Sequence, residues 1–556
     1  MKKYFLLAFS AFLILGFSGC KNKAKKASKE EEVTKADTNM VAKVNEYKKV
    51  KLTTDLSVLS EKQKQMLPIL FKIADIMDEI FWIEAYGNKT ELLESIEDEA
   101  TKKFVEINYG PWSKLDNNEP FISDVGEKPK GANFYPADIT QKEFDAFEDE
   151  LKNSQYTLLR RDEDGNLMSV PYHEVFREKI EEASQLLMEA SEFAENEAFR
   201  EYLIQRSEAL RTDEYQPSDF AWLAMKDNII DFVVGPIENY EDELFNIKAA
   251  HESFILIKDM DWSNKLKKYI AYLPELQETL PVDKKYKSNM PGTSGNQLNA
   301  YDVIYYAGDC NKASKTIAIN LPNDPIVRQE AGSRKLMLKN AMKAKFDNIL
   351  LPISNVLIDE SQRKNVKFDA FFANTMFHEV GHGLGVDYLV NNPDIKVRDA
   401  LKSYYTAIEE GKADIVGLHL ITYLYGKGEL DNIDLMDYYV TFFASVFRSA
   451  RFGSASSHGK ANMMRFYFFE ENNAFTRDEE TGTYTINFDN MKEAVKVLAE
   501  KIITIQGDGN YEVAKAWVEK DGKIKDQLQA DLDRLADKNI PRDIIFEQGY
   551  EVLIQE

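Results

Sequence analysis

Phe377-His378-Glu379-Val380-Gly381-His382-Gly383, followed by Glu409-Glu410-Gly411-Lys412-Ala413-Asp414, is the pair of segments on which the reading of this 556-residue chain turns. On a helix, His378 and His382 stand at i and i+4, so both imidazoles leave one face. That spacing can grip two corners of a tetrahedral Zn²⁺ site. Glu379 lies one step round the helix, near the metal without being forced onto it, where a general base can act on a water at the metal. Glu410, 28 residues beyond His382, can bring a third ligand from a second helix and leave the fourth position open. An open position separates a catalytic zinc from a structural one. Asp414, one turn further on, can accept the free N–H of a ligand histidine and fix its tautomer. The chain has only six histidines, and on the order of one chain in a hundred of this composition would place two of them around a glutamate in this way by chance.

Working outward from the motif, apolar periodicity predicts helices over 331–351, 368–383, 397–425, 435–450, 491–504 and 511–537. Gly383 and Gly385 mark the end of the histidine helix, with a left-handed cap expected there. The helix of 397–425 carries Glu409, Glu410 and Asp414 among apolar neighbours, where carboxylates are costly unless paired or metal-bound. Before residue 325 the pattern changes. Residues 231–235, 254–258, 303–306 and 316–320 read as strands between turn residues. Residues 47–85 show helical spacing, 172–212 a long helix or helical hairpin, and 108–136 an irregular Gly/Pro-rich stretch. The run Arg177-Glu178-Lys179-Ile180-Glu181-Glu182 superficially matches part of a nudix box. The box's upstream glycine and glutamate are not at the required distances, and Lys179 replaces an apolar residue. The expected fold class is α+β, predominantly helical, with mixed structure first and nearly all helix around the metal.

Composition bounds the partners. Apolar residues make up 44% and charged residues 29%, as in soluble globular proteins, and 94 acidic against 70 basic side chains give a net charge of −24. Such an acidic surface argues against nucleic acid or an anionic membrane face. Lys2 and Lys3, an apolar core over 5–17 and Ser18-Gly19-Cys20 read as a lipoprotein signal peptide over 1–19, with Phe17 where Leu is usual. Cys20 is then the lipidation site, and the chain an exported bacterial lipoprotein anchored at the outer membrane or periplasmic face through lipid alone. The charged run over 20–45 reads as a flexible tether. Cys310, the one other cysteine, reads as a structural thiol with no disulfide partner.

The second motif and Val416-Gly417-Leu418 after it resemble the zinc motif of the dipeptidyl peptidase III family. Further segments are similar: Tyr301-Asp302-Val303-Ile304-Tyr305-Tyr306-Ala307-Gly308 with Ile319-Asn320-Leu321-Pro322-Asn323, Gly235-Pro236-Ile237-Glu238-Asn239-Tyr240, Ser457-His458-Gly459-Lys460-Ala461 and, more weakly, Asn133-Phe134-Tyr135-Pro136. The family's usual first motif, His-Glu-x-x-Gly-His, is one residue longer. The five-residue form here resembles a bacterial branch and the plant proteins that fuse such a domain to a nudix domain.

The resemblance implies two lobes around a wide cleft. A lower lobe, mostly 46–347, would hold a small β-barrel-like sheet and a peptide-binding strand. A helical lobe, mostly 348–556, would bind one Zn²⁺ through His378, His382 and Glu410. It implies that Glu238 holds a substrate's N-terminal ammonium, that Asn320 and Asn323 bind the peptide backbone, and that Tyr240 and His458 hydrogen-bond the developing oxyanion. The expected activity is release of dipeptides from short peptides by a monomeric zinc peptidase. A zinc hydrolase of another amide or ester, and a non-catalytic lipid-anchored peptide binder, are the alternatives. The intact Glu379 speaks against the latter, since binding alone needs no base.

Overall fold

The computed structural model describes residues 39–287, 297–430, 433–453 and 456–555. The expected signal peptide over 1–19, Cys20 and most of the expected tether over 20–45 lie outside them. Within the stretch expected to be flexible as far as residue 45, residues 39–45 are instead helical, and Met40 is buried beside Tyr47, Phe104 and Ile107.

The first core is built on a long helix, α1 (Glu61–Ala85). Its start is fixed by a capping box, in which the Ser60 hydroxyl accepts from Gln63 N–H and the Gln63 side chain accepts from Ser60 N–H. The apolar spacing over 172–212 resolves into a hairpin, α2 (Arg177–Phe193) and α3 (Glu197–Thr212). The hairpin packs with α1 against a five-stranded sheet. The nudix-like run lies on α2, with Ile180 in this core.

The sheet comprises β1 (Ile230–Glu238), β2 (Ala250–Asp259), β3 (Gln297–Gly308), β4 (Ala318–Leu321) and β5 (Arg334–Leu338). Its spatial order is β1-β2-β3-β5-β4, antiparallel except for the parallel pair β3–β5. β1 and β4 are therefore edges. Four of these strands match the sequence reading. β5 corrects it, since helix was expected from residue 331 and begins at Lys339. Arg334 opens β5 fully buried, paired at 2.8 Å with the equally buried Asp231 of β1. Trp222 Nε1 and Tyr301 Oη also donate to Asp231. A buried charge so compensated ties three strands together, and removing one partner of such a pair typically costs about 3–5 kcal/mol.

Successive residues of β5 face opposite cores, as strand geometry requires. Leu336 and Leu338 belong to the sheet-and-hairpin core, and Met337 to the helical core. That second core is formed by α4 (Phe368–His382), α5 (Tyr405–Gly426), α6 (Leu435–Ala450), α7 (Ser457–Glu471) and α8 (Phe488–Asp508). Two further expectations are corrected here. The helix of 397–425 is broken, with Lys402 at φ +50 separating Val397–Leu401 from α5. That of 511–537 divides into Tyr511–Asp521 and Asp526–Asp537. Near the C-terminus, strand Asp543–Glu547 pairs in parallel with Tyr47–Lys51. The chain thus builds a predominantly helical α+β protein of two lobes. Cys310 is a buried free thiol near the carbonyls of Ser253 and Ala307.

Candidate metal centre and cleft

The site is made by two helices that touch through glycine. A Cβ on Gly417 of α5 would lie 2.8 Å from the Phe377 carbonyl of α4, and one on Gly381 would lie 2.5 Å from the Ala413 carbonyl. Side chains at these positions would separate the helices. Without them, Glu410 of α5 comes close to the histidines of α4. α4 ends at His382; of the two glycines at whose position a left-handed cap was expected, Gly383 is right-handed and Gly385 carries the positive φ.

Ligand atoms of His378, His382 and Glu410 lie within 4.8 Å of one another. His378 Nδ1 faces Asp414 Oδ1 at 2.7 Å, and His382 Nδ1 faces Glu409 Oε1 at 2.9 Å. Each acid thus fixes the outer nitrogen of one ring. The inner Nε2 atoms converge to 3.2 Å, with Glu410 Oε2 at 3.5 and 3.7 Å from them. Glu410 Oε2 is buried and makes no hydrogen bond, although His458 Nδ1 lies 3.1 Å away. Two inward imidazole nitrogens and an orphaned carboxylate oxygen fit a divalent cation between them.

The supporting groups are charged and buried. Lys412 donates to Glu409 and to the carbonyls of His382 and Leu384, and Gln506 donates to the other oxygen of Glu409. Burial opposes ionisation of Glu409, but Lys412 and His382 outweigh it and bring its pKa to about 2. Burial also opposes ionisation of Asp414, where the buried Arg465 and His378 prevail and hold it well below the carboxylate range. Glu379 follows the same logic. Burial pushes it up, while Lys335, His378 and His382 together bring it below the ordinary value. Lys335 reaches it from β5, with Nζ 3.8 Å from Glu379 Oε2 and hydrogen-bonded to its carbonyl. Lys335 shares the strand face of Met337, the face turned to the helical lobe.

A cavity of about 470 Å³ lies against this cluster. Its lining includes His378, Glu379, His382, Glu410 and His458 from the helical lobe, and Glu238, Tyr240, Asn320 and Asn323 from the sheet lobe. Burial pushes the Glu238 carboxyl above its usual range, a shift that Asn323 partly opposes. Asn320 Oδ1 is buried with no hydrogen-bond partner. Asn323 donates to the Ile237 carbonyl, joining the end of β4 to β1. Tyr240 is 70% exposed. Its loop is fixed by Asp242, which accepts from the N–H groups of Leu244, Phe245, Ile247 and Lys248 and from Tyr135 Oη. One cavity therefore gathers every candidate ligand, base and substrate contact read from the sequence, with Asp414 behind His378.

Sequence reasoning assigned no role to Lys335 or Arg465, and it named no partner for His382. Glu409 carried a signal in the Glu409-Glu410 doublet, since one of two neighbouring carboxylates can ligate while the other orients. Nothing local marks Lys335, because its place depends on an unrecognised strand.

Comparison with known proteins places this geometry in a lineage. Residues 148–397 match the model of peptidase family M49. The chain is similar to a solved structure of DPP III from Caldithrix abyssi, with 36% identity, a TM-score of 0.88, and coverage of 92% of this chain and 99% of that one. The structure of dipeptidyl-peptidase III from Corallococcus sp. strain EGB is similar at 34% identity and a TM-score of 0.81, covering 92% of this chain and 97% of that one. Among curated proteins, Nudix hydrolase 3 of Arabidopsis thaliana is 33% identical over 90% of this chain and 72% of its own length. The chain belongs to peptidase family M49, the dipeptidyl peptidase III family of metallopeptidases.

Proposed function

We propose that the protein is a zinc-dependent exopeptidase that releases dipeptides from the free N-terminus of short peptides. The observation that carries this reading is the single cavity lined both by the His378–His382–Glu410 cluster and by Glu238, Asn320 and Asn323. In this reading those three residues hold the metal, and a bound zinc supplies Lewis acidity that polarises a carbonyl and acidifies water.

The chain's own groups do the rest. Glu238, in a partly dry site, pairs with the substrate's ammonium and penalises peptides that lack one. β4 is a sheet edge, so an extended peptide can add to it through backbone hydrogen bonds, with Asn320 and Asn323 assisting. Glu379, held ionised beside Lys335, accepts the water's proton as the carbonyl is attacked and passes it to the leaving amine. Tyr240 and His458 donate to the carbonyl oxygen as it becomes an oxyanion. On sequence alone, anchoring at Cys20 and export to the outer membrane or periplasmic face belong to the same proposal. Among the described residues no helix is long and apolar enough to cross a membrane.

Glu379→Gln tests the chemistry. The amide keeps the shape but cannot take the proton, so metal content should be retained while dipeptidyl-arylamide hydrolysis falls by about 10²–10⁴-fold. Near-normal hydrolysis by a metal-replete variant would remove Glu379 from the role of base.

A further inference from the structure

A second cavity, of about 610 Å³, adjoins the first at the candidate metal cluster. It shares His378, Glu379 and His458 with the first and extends between α6, α7 and the segment that precedes β4. Most charged groups on its wall are already matched. Lys114 pairs with Glu241, Lys345 with Asp543, and Arg465 with Asp414. Two cations are not. Arg448 of α6 forms no ion pair among the described residues, and its Nε is buried without a hydrogen-bond partner. Its guanidinium stacks 5.6 Å from the Phe371 ring, and burial lowers its pKa. Lys315, itself buried, donates only to the carbonyls of Asn311 and Lys312. Burial brings its pKa down to about 8.

A cation with no ion pair is costly where it is drawn out of water, as at the buried Nε of the half-buried Arg448. Placed on the wall of a substrate-sized cavity, it marks where a ligand's negative charge belongs. The direction of the strand says which charge. A peptide added antiparallel to β4 has its N-terminus at the Asn320–Asn323 end, beside Glu238, and its later residues near Lys315. Lys315 precedes Asn320 by five residues, a reach of at most roughly 18 Å, the span of about five peptide residues.

We propose that Lys315 and Arg448 form a subsite for the peptide's C-terminal carboxylate, so that the cleft reads both ends of its substrate and favours peptides of about five residues. The proposal rests on the N-terminal exopeptidase reading. It adds an anionic requirement beyond the cleaved bond, and it gives a partner to two cations that form no ion pair among the described residues, the nearby Asp543 being paired with Lys345.

The test uses the full chain with zinc and a pentapeptide with a free N-terminus, prepared as the C-terminal acid and as the amide. The wild type should favour the acid by on the order of tenfold in kcat/KM, carried by KM, as expected for a charge-assisted hydrogen bond. Arg448→Gln should bring the acid-to-amide ratio close to one, and Arg448→Lys should restore part of it. Lys315→Gln, read in the same way, serves if Arg448→Gln does not fold. The ratio is internally controlled, because general damage lowers both rates together. Equal cleavage of acid and amide by the wild type, or parallel loss of both in Arg448→Gln, would overturn the subsite. An amidated pentapeptide ending in Glu separates the two sources of a carboxylate. If it is cleaved as well as the acid, the subsite serves an acidic side chain and the end clamp is wrong. Titrating acid and amide onto Glu379→Gln reads the same preference as binding, without turnover. Failure of wild-type dipeptidyl-arylamide cleavage would count against the exopeptidase reading alone, because that substrate has no residue beyond the cut.

Discussion

The doublet Glu409-Glu410 shows how one residue of register assigns chemistry. Neighbours on a helix point about 100° apart, so one carboxylate can face the inner edge of the imidazoles and the other the outer edge. Here Glu410 lies against the two Nε2 atoms, and Glu409 takes His382 Nδ1 and is held by Lys412 and Gln506. The two substitutions should therefore differ in kind. Glu410→Ala, which removes one of the three proposed ligands, should lose the metal on dialysis. Glu409→Gln should keep it and weaken affinity by about 10–100-fold, the usual effect of loosening an orienting partner. Competition with a chromophoric chelator measures both, and the reverse order would exchange their roles. Glu238 carries a pH signature. Burial raises its pKa, and the protonated acid is neutral and cannot pair with an ammonium. Acidification should therefore lower kcat/KM for free N-termini from a pH above the ordinary carboxylate range. In Glu238→Gln that acid limb should vanish, with kcat/KM already down about 10–100-fold for a lost charge-assisted bond worth roughly 1.5–3 kcal/mol. An unchanged limb would assign it to another group.

At the scale of elements, legibility followed locality. The i, i+4 histidines, the Glu-x-x-x-Asp spacing and four strands were readable because the signal lies within a few residues. β5 was not, because Arg334-Lys335-Leu336-Met337-Leu338 holds no β-branched residue and begins with a residue rarely buried. Its conformation is set by a partner 103 positions away, Asp231, which outweighs local propensity. Lys335 was lost with it. The break at Lys402 was equally hidden, since no proline or glycine marks it. Gly417 was read only as part of a motif, whereas the structure gives it a steric reason. Gly417→Ala should destabilise the fold by about 1–3 kcal/mol, the cost of overpacking a close contact. It should also lower metal affinity by separating α4 from α5. Thermal unfolding with and without added zinc checks both, and a fully stable, metal-replete variant would show that the helices need not touch there.

At the scale of the whole molecule, apolar patterning separated a mixed first half from a helical second half, but not the way they are joined. β5 contributes to both cores, and the two ends of the described chain meet in one parallel strand pair. The candidate site depends on that joining. α4 and α5 carry the candidate metal ligands, β1 carries Glu238, β4 and the turn after it carry Asn320 and Asn323, and β5 brings Lys335 to Glu379, the proposed base. The central claim is that this cleft counts two residues from a free N-terminus and cuts there with a metal. Mass spectrometry of the products from one unmodified pentapeptide, its N-acetylated form, and the unmodified peptide with a chelator tests it directly. The account predicts a dipeptide and a tripeptide from the free peptide, almost no cleavage of the acetylated one, and loss of cleavage in chelator that added zinc restores. Release of single amino acids, equal cleavage of the acetylated peptide, or full activity in the chelator would contradict it.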